Sequence, residues 1–299
     1  MTTTLGTSDN LPISVQIPGY RLRRHVGTDA TGLWFDCVQE SLDRKLTLKT
    51  MRPEFEGRDD VHQEMLAEMD RLAGLEHPNL LRLIDTRRET PPAIIVERIG
   101  GRTLARLLDD DGPVKWETAV SAIRDAALAL DHLHGLGLTH KNPSPALIAI
   151  NDSGVARLVT FRNIVPMEEV VELRGKLVSD PNYIAPEQLA GDKEIGAATS
   201  VYQLGALLFH LLAGAPPHVE EDAKQTALAH YRKPFPALKG KRPFLPNSLY
   251  DLVGECTARD PADRPALADT AERLEDILEG RDTSGSGTAP RARRRRRRR

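Results

Sequence analysis

Lys49 and Glu68 stand nineteen residues apart, downstream of a glycine-bounded segment, Gly27-Thr-Asp-Ala-Thr-Gly32. A lysine that closes a strand offers a positive charge and three N–H donors to an anion such as phosphate, and a helical glutamate beside it can hold the ammonium in place. A glycine-bounded turn between two strands is where backbone N–H groups can cover nucleotide phosphates. Two glycines five apart equally suit a plain hairpin turn, and a lysine and a glutamate at such positions are commonly solvated or a structural ion pair. Four further groups follow in order: Glu76-His77-Pro78-Asn79, Thr139-His140-Lys141-Asn142, Ala185-Pro186-Glu187 and, between 260 and 265, Asp-Pro-Ala-Asp-Arg264-Pro.

The elements that must position these residues are legible from periodicity. Alternating and β-branched stretches at 20–26, 33–38 and 46–49 read as strands separated by turns, and two more are expected near 80–85 and 93–97. Val61, Met65, Met69, Leu72 and Leu75 recur at three- and four-residue spacing and make one face of a helix carrying Glu68. Beyond Gly100-Gly101 the pattern turns helical. Val120, Ile123, Ala127, Leu130 and Leu133 form a stripe that ends at Gly135 to Gly137, and the apolar run 201–213 reads as a buried core helix. Helices are also expected at 248–257 and 267–278, with a small hairpin around Asn151-Asp-Ser-Gly. Strands first and helices afterwards give an α+β fold of two lobes, a small sheet lobe over about 20–98 and a larger helical lobe over about 99–280. Residues 1–19 lack periodicity and read as disordered; residues 281–299 read as a flexible linker with a basic tail.

The chain has 299 residues and a formal charge of −2, but eight of the arginines lie between Arg291 and Arg299, so residues 1–290 hold 33 Lys+Arg against 43 Asp+Glu. An acidic body and a polycationic tail are expected to act separately. Two cysteines, Cys37 and Cys256, exclude a disulfide scaffold and argue for a reducing, cytoplasmic compartment. Neither a secretory signal nor an 18-residue apolar span is expected.

In order and spacing, these groups resemble the protein kinase family, in particular bacterial Ser/Thr kinases, over about Tyr20 to Leu278. The resemblance implies that Gly27, Gly32, Lys49 and Glu68 line a nucleotide pocket, with Glu97 and Ile99 on its hinge and Val96 at its back. It implies structural roles for His140, Phe161 and the Glu187–Arg264 pair, and a column of Leu72, Leu83, His140 and Phe161 linking the lobes. The catalytic positions depart from the family. The catalytic aspartate matches Asn142, whose amide oxygen is too weakly basic to take a hydroxyl proton near neutral pH. The phosphate-contacting lysine matches Ser144, and the two metal ligands match Leu147 and Thr160, which cannot serve a hard cation. The aspartate supporting the catalytic loop matches Ser200.

Around the adenine, a roofing valine matches Trp34, an alanine matches Thr47 and the flooring residue matches Ala149. The Trp34 indole is expected either to fold into the pocket in place of adenine or to lie outward on the sheet. Mg²⁺ is not expected, whereas ATP stays open, with Lys49 and the Gly27–Gly32 turn as its contacts if Trp34 does not fill the pocket. In the loop 162–186 the hydroxyl residues are Ser179 and Tyr183, with Asp180 where a regulatory threonine often stands, so a phosphorylation switch is not expected there. Glu168, Glu169 and Glu172, beside Val170 and Val171, read as a solvated charge run, with a partner contact as the alternative.

The leading expectation is a pseudokinase, a regulatory or scaffold module for a protein partner such as another kinase or its substrate. The alternatives are a weakly active Ser/Thr kinase and a protein tethered by Arg291 to Arg299 to anionic lipid or nucleic-acid phosphates. Sequence-specific nucleic-acid binding is not expected, because no base-reading module accompanies the arginines.

Overall fold

The computed structural model describes residues 15–281, apart from 30, 160–162, 168, 170–179 and 191–194. The expectations for Thr160, Phe161, Glu168, Glu172 and Ser179, for most of the N-terminal segment and for the linker and arginine run lie outside the described residues.

The small lobe is an antiparallel sheet of β1 (Tyr20–Thr28), β2 (Gly32–Gln39), β3 (Arg44–Met51), β4 (Leu83–Arg87) and β5 (Ala93–Glu97), in the order β1-β2-β3-β5-β4. Side chains on a strand alternate between faces, so paired residues share a face. Trp34 pairs with Lys49 and Lys49 with Ile94, which makes one row across β2, β3 and β5. Leu48 and Ile95 make the adjacent row on the other face, where they join Cys37, Leu46, Ala93 and Tyr20 in a separate cluster. Ile17 belongs to this outer cluster, so the chain is already packed three residues ahead of the expected start.

α1 (Asp59–Leu72) carries Asp59 and Asp60 in its first turn, where carboxylates complement the exposed N–H groups. Its buried stripe is Val61, Met65, Glu68, Met69 and Leu72. Each apolar member contributes on the order of 1.5–3 kcal/mol by leaving water, and that burial holds Glu68 against the sheet.

The helical lobe begins after β6 (Arg102–Thr103) with α2 (Leu104–Asp111) and α3 (Trp116–Gly135). Gly101 is required here: at φ +79°, a Cβ would meet the Ile150 carbonyl oxygen at 1.7 Å. β7 (Leu138–His140) pairs with β10 (Ile164–Pro166), and β8 (Ile148–Ile150) pairs with β6 and β9 (Ala156–Leu158). α4 (Pro186–Ala190) and α5 (Ala197–Ala213) follow, then α6 (Ala223–Arg232), α7 (Leu238–Lys241), α8 (Asn247–Cys256) and α9 (Leu267–Leu278). α5 is buried on nearly every side from Thr199 to Leu212, as its continuous apolar run requires. One core cluster runs from Trp34, Met69, Leu72 and Val96 through Leu80, Ile148 and Leu158 into α3, α5, α8 and α9, so the two lobes share a core. Cys37 and Cys256 are free and buried, and burial pushes both thiols up to about 12.

Candidate functional site

The segment expected as a turn from Gly27 to Gly32 is shorter than its glycines suggest. β1 continues to Thr28, Gly27 pairs with Trp34 in the ladder, and Asp29 lies just past the strand end, with its N–H donating to the Gly32 carbonyl at 2.9 Å. The Asp29 side chain turns inward. Its Oδ1 accepts the Thr31 N–H at 2.9 Å, the Gly32 N–H at 2.8 Å and the Thr31 hydroxyl at 3.1 Å. Its Oδ2 lies 2.9 Å from Lys49 Nζ and accepts the Trp34 indole N–H at 3.0 Å.

Lys49, with no exposed side-chain surface, also donates to Glu68 Oε2 at 2.7 Å, and its ammonium lies 5.6 Å from the centre of the Trp34 ring. One ammonium thus faces two carboxylates and an aromatic face. Burial pushes Lys49 down, but Glu68 and Asp29 outweigh it and hold the ammonium above its ordinary value. Burial raises Asp29, and Lys49 with the indole and amide donors draws it below the usual carboxylate range. For Glu68 burial wins and leaves it high; its Oε1 is buried with no hydrogen-bond partner among the described residues.

Trp34 is 3% exposed and belongs to the interlobe core with Val96 and Ala149, so of the two placements open in the sequence it takes the inward one. Thr47, beside it on β3 and fully buried, accepts the Ile99 N–H through its hydroxyl at 3.1 Å. Glu97 is occupied by the Arg82 N–H at 2.9 Å and the Arg157 guanidinium at 2.9 Å. The Lys49, Glu68 and Glu97 side chains and the Gly32 and Ile99 N–H groups are thus each engaged within the chain.

At the expected catalytic loop, His140 ends β7 in full burial, which pushes its imidazole down to about 3; neither ring nitrogen has a partner among the described residues. Asn142 Oδ1 accepts the Asp180 N–H at 2.8 Å, while Asp180 Oδ1 accepts the Asn182 backbone and side-chain N–H groups at 3.0 and 2.9 Å. Asn142 thus anchors the segment leading to α4. Ser144 is buried, with its carbonyl accepting the Leu147 N–H. Leu147 is 4% exposed in a short 3-10 turn (Pro145–Leu147). Ser200 lies 3.2 Å from His134 Nε2, and the Thr139 hydroxyl lies 3.1 Å from the same nitrogen. That three-residue contact ties α3, β7 and α5 together beneath the loop.

The Glu187–Arg264 pair forms as expected: Nη1 to Oε1 is 2.7 Å, Nη2 to Oε2 is 2.9 Å, and neither side chain is exposed. Arg264 also donates to the Ala258 and Ala198 carbonyls, each at 2.8 Å, and Thr199 donates to Glu187. Of the interlobe column, Leu72 and His140 are buried and Leu83 is half-buried against the core. A cavity of about 650 Å³ lies elsewhere, bounded by Arg102, Leu107, Asp111, Lys115, Ile150 and Asp152; it includes none of the expected site residues.

Sequence reasoning missed Asp29 and His134. Asp29 carried a usable signal, since Asp ahead of Thr-Gly favours a turn in which its carboxylate caps the next backbone N–H groups. His134 carried none, because its partners come from elements up to 66 residues away.

Two lobes, an antiparallel sheet with one helix bearing the Lys49–Glu68 pair, and a helical lobe braced by Glu187–Arg264 define the protein kinase fold. The protein kinase domain family matches residues 20–274, and the chain belongs to that family. The chain is similar to the probable serine/threonine-protein kinase PknB of Lactococcus lactis, 26% identical over 261 residues covering 86% of this chain and 41% of that protein. It is 29% identical to the serine/threonine-protein kinase PknD of Mycobacterium tuberculosis and 26% identical to PrkC of Bacillus subtilis, in each case over 86% of this chain and 39% of the relative. The chain spans about two fifths of the length of these relatives. Among the described residues, no helix is long and apolar enough to cross a membrane.

Proposed function

We propose that this chain is a catalytically inactive member of the protein kinase family, a pseudokinase that serves as a regulatory or scaffold module for a protein partner. The observation that carries the reading is the use of Asn142: at the position of the catalytic aspartate, its oxygen holds the Asp180 N–H at 2.8 Å. An amide oxygen so placed has neither the basicity nor the freedom to receive a hydroxyl proton.

The residues present also fit a magnesium nucleotide poorly. Leu147 is a buried hydrocarbon where the family has a metal ligand, and the Lys49 charge is already matched twice. Loss of a general base alone costs about 10²- to 10⁴-fold from turnover on the order of 1–100 per second. Loss of metal ligands adds to this non-additively.

The test is transfer of radiolabelled phosphate from ATP to the chain itself and to generic protein acceptors, with Asn142→Ala purified in parallel. No incorporation above the control is expected. Incorporation by the natural sequence that disappears in Asn142→Ala would establish the second reading, a weakly active Ser/Thr kinase, which the retained Lys49–Glu68 contact at 2.7 Å favours.

The arginines from Arg291 to Arg299 are proposed to attract anionic lipid or nucleic-acid phosphates at about 1 kcal/mol each near a surface. Pelleting with phosphatidylserine vesicles, with and without those residues, tests that role.

A further inference from the structure

Resting on the reading of an inactive cleft, we propose that the Asp29 carboxylate is a built-in occupant of an oxyanion seat, and that its removal uncovers a metal-independent site for a polyphosphate chain.

The donors converging on Asp29 are the argument. Oδ2 meets an ammonium and an indole N–H, and Oδ1 meets two consecutive backbone N–H groups and a hydroxyl. A phosphate oxyanion is bound by the same kinds of donor: a lysine as a point charge and backbone amides in a concave turn. A turn-capping role accounts for the Oδ1 contacts alone, because an aspartate capping its own turn reaches the N–H groups two and three residues on. It does not account for Oδ2, which reaches the Trp34 indole on β2 and shares the Lys49 ammonium on β3 with Glu68.

The second observation is steric. Gly32 lies so close to Lys49 that a Cβ there would meet Cε at 2.7 Å, Cγ at 2.8 Å and the Thr50 carbonyl at 2.9 Å. The turn therefore rests on the lysine stem, and Asp29 fills the interval where a phosphate would have to stand. The third is charge. Asp29 and Glu68 place two negative charges against one positive charge in near-complete burial, so the occupied seat repels a further anion. Removing Asp29 brings the seat to neutrality and leaves the ammonium, indole and turn N–H donors short of an acceptor. Buried donors without partners are costly, and an incoming oxyanion relieves that cost. Trp34 fills the apolar part of the cleft separately, so a base has room only when that ring is removed as well.

Asp29→Ala, Asp29→Asn, Trp34→Val and Asp29→Ala/Trp34→Val are compared in the full chain by thermal shift and calorimetry. The probes are inorganic tripolyphosphate and ATP, each with EDTA. The natural sequence and Trp34→Val should show no heat and no shift with either. Asp29→Ala should bind tripolyphosphate, with melting raised by about 5–10 °C at a hundredfold excess over Kd. It should bind ATP no better than tripolyphosphate, whereas the double variant should prefer ATP. Asp29→Asn removes the charge but keeps the occupant, so it should bind tripolyphosphate more weakly than Asp29→Ala; if Asp29→Ala does not fold, Asp29→Ser, which is shorter and keeps a turn-capping hydroxyl, takes its place.

Tripolyphosphate binding by the natural sequence as tight as by the Asp29 variants would overturn the proposal. So would folded variants, judged by near-UV circular dichroism, that bind neither probe. These results are distinguishable from failure of the inactive reading, which would appear as phosphate transfer by the natural sequence.

Discussion

Lys49→Met is the perturbation with the most to say about this cleft. The substitution removes the ammonium that faces two carboxylates with 3% and 1% side-chain exposure, at 2.9 and 2.7 Å. Left without it, at least one carboxylate must take up a proton to remain buried. From the ordinary values of 4.5 for Glu68 and 3.8 for Asp29, neutralisation at pH 7 costs about 3 kcal/mol for the first and about 4 for the second, at 1.36 kcal/mol per pH unit. A shared proton can serve the pair, so the net loss is set at about 3–5 kcal/mol, the range for orphaning a buried charge. At 2–4 °C per kcal/mol this lowers melting by about 6–20 °C.

The sign of the pH dependence follows from the same residues. In Lys49→Met the folded-state carboxylates bind protons more readily than the unfolded ones, so the penalty is full at neutral pH and fades as pH falls toward 4.5. Each protonated carboxylate should recover about 1.4 kcal/mol per pH unit between pH 7 and 5. Calorimetric melting at pH 7 and pH 5, beside the natural sequence and Lys49→Met/Asp29→Asn/Glu68→Gln, is the assay. The triple variant should regain most of the loss. Melting of Lys49→Met within about 3 °C of the natural sequence at pH 7, or an equal deficit at both pH values, would refute the reasoning. A consequence is practical: Lys49→Met is a poor inactive control for this chain, because it changes the fold's stability.

Three further outcomes are expected. Glu187→Gln should cost about 3–5 kcal/mol in urea unfolding, since it strips the charge opposite a guanidinium with no exposed surface; a loss under about 1 kcal/mol would show the backbone carbonyls alone satisfy Arg264. His140 and His230 are buried and held down to about 3, so the unfolded chain binds protons that the folded chain refuses below the ordinary value of 6.5. Stability is therefore complete above pH 6.5 and is lost as pH falls, by about 2 kcal/mol per histidine at pH 5; an unfolding midpoint unchanged from pH 7.5 to 5 would refute this. Asn142→Asp should fail to restore transfer of radiolabelled phosphate from ATP, because Leu147 still offers no metal ligand, and it should weaken the anchor at Asp180 by placing a carboxylate beside Asp180; measurable transfer would sink that view.

Much of this could be read along the chain, for local reasons. The α1 stripe, the α3 stripe ending near Gly135 and the α5 run appear where periodicity places them, because burying one face is a pattern of neighbours in sequence. The short elements escaped that reading: β6 has two residues, α7 has four, and their conformations depend on what they pack against. The glycine pair suggested a wider turn than exists, since Gly27 serves the ladder opposite Trp34 and the turn itself is closed by Asp29.

Residue identities by themselves determined the family fold and which side chains stand at the positions the resemblance matches. That Leu147 carries a hydrocarbon side chain and Asn142 an amide in place of a carboxylate needed no coordinates. Tertiary structure alone decided what fills the cleft. Whether Trp34 points in or out depends on the register that pairs it with Lys49, and whether Asp29 faces water or the lysine depends on a turn that brings it against β3. A charge near the surface and the same charge in a buried seat differ by several kcal/mol, and only the packing of β1, β2, β3 and α1 around Lys49 places Asp29 in the second.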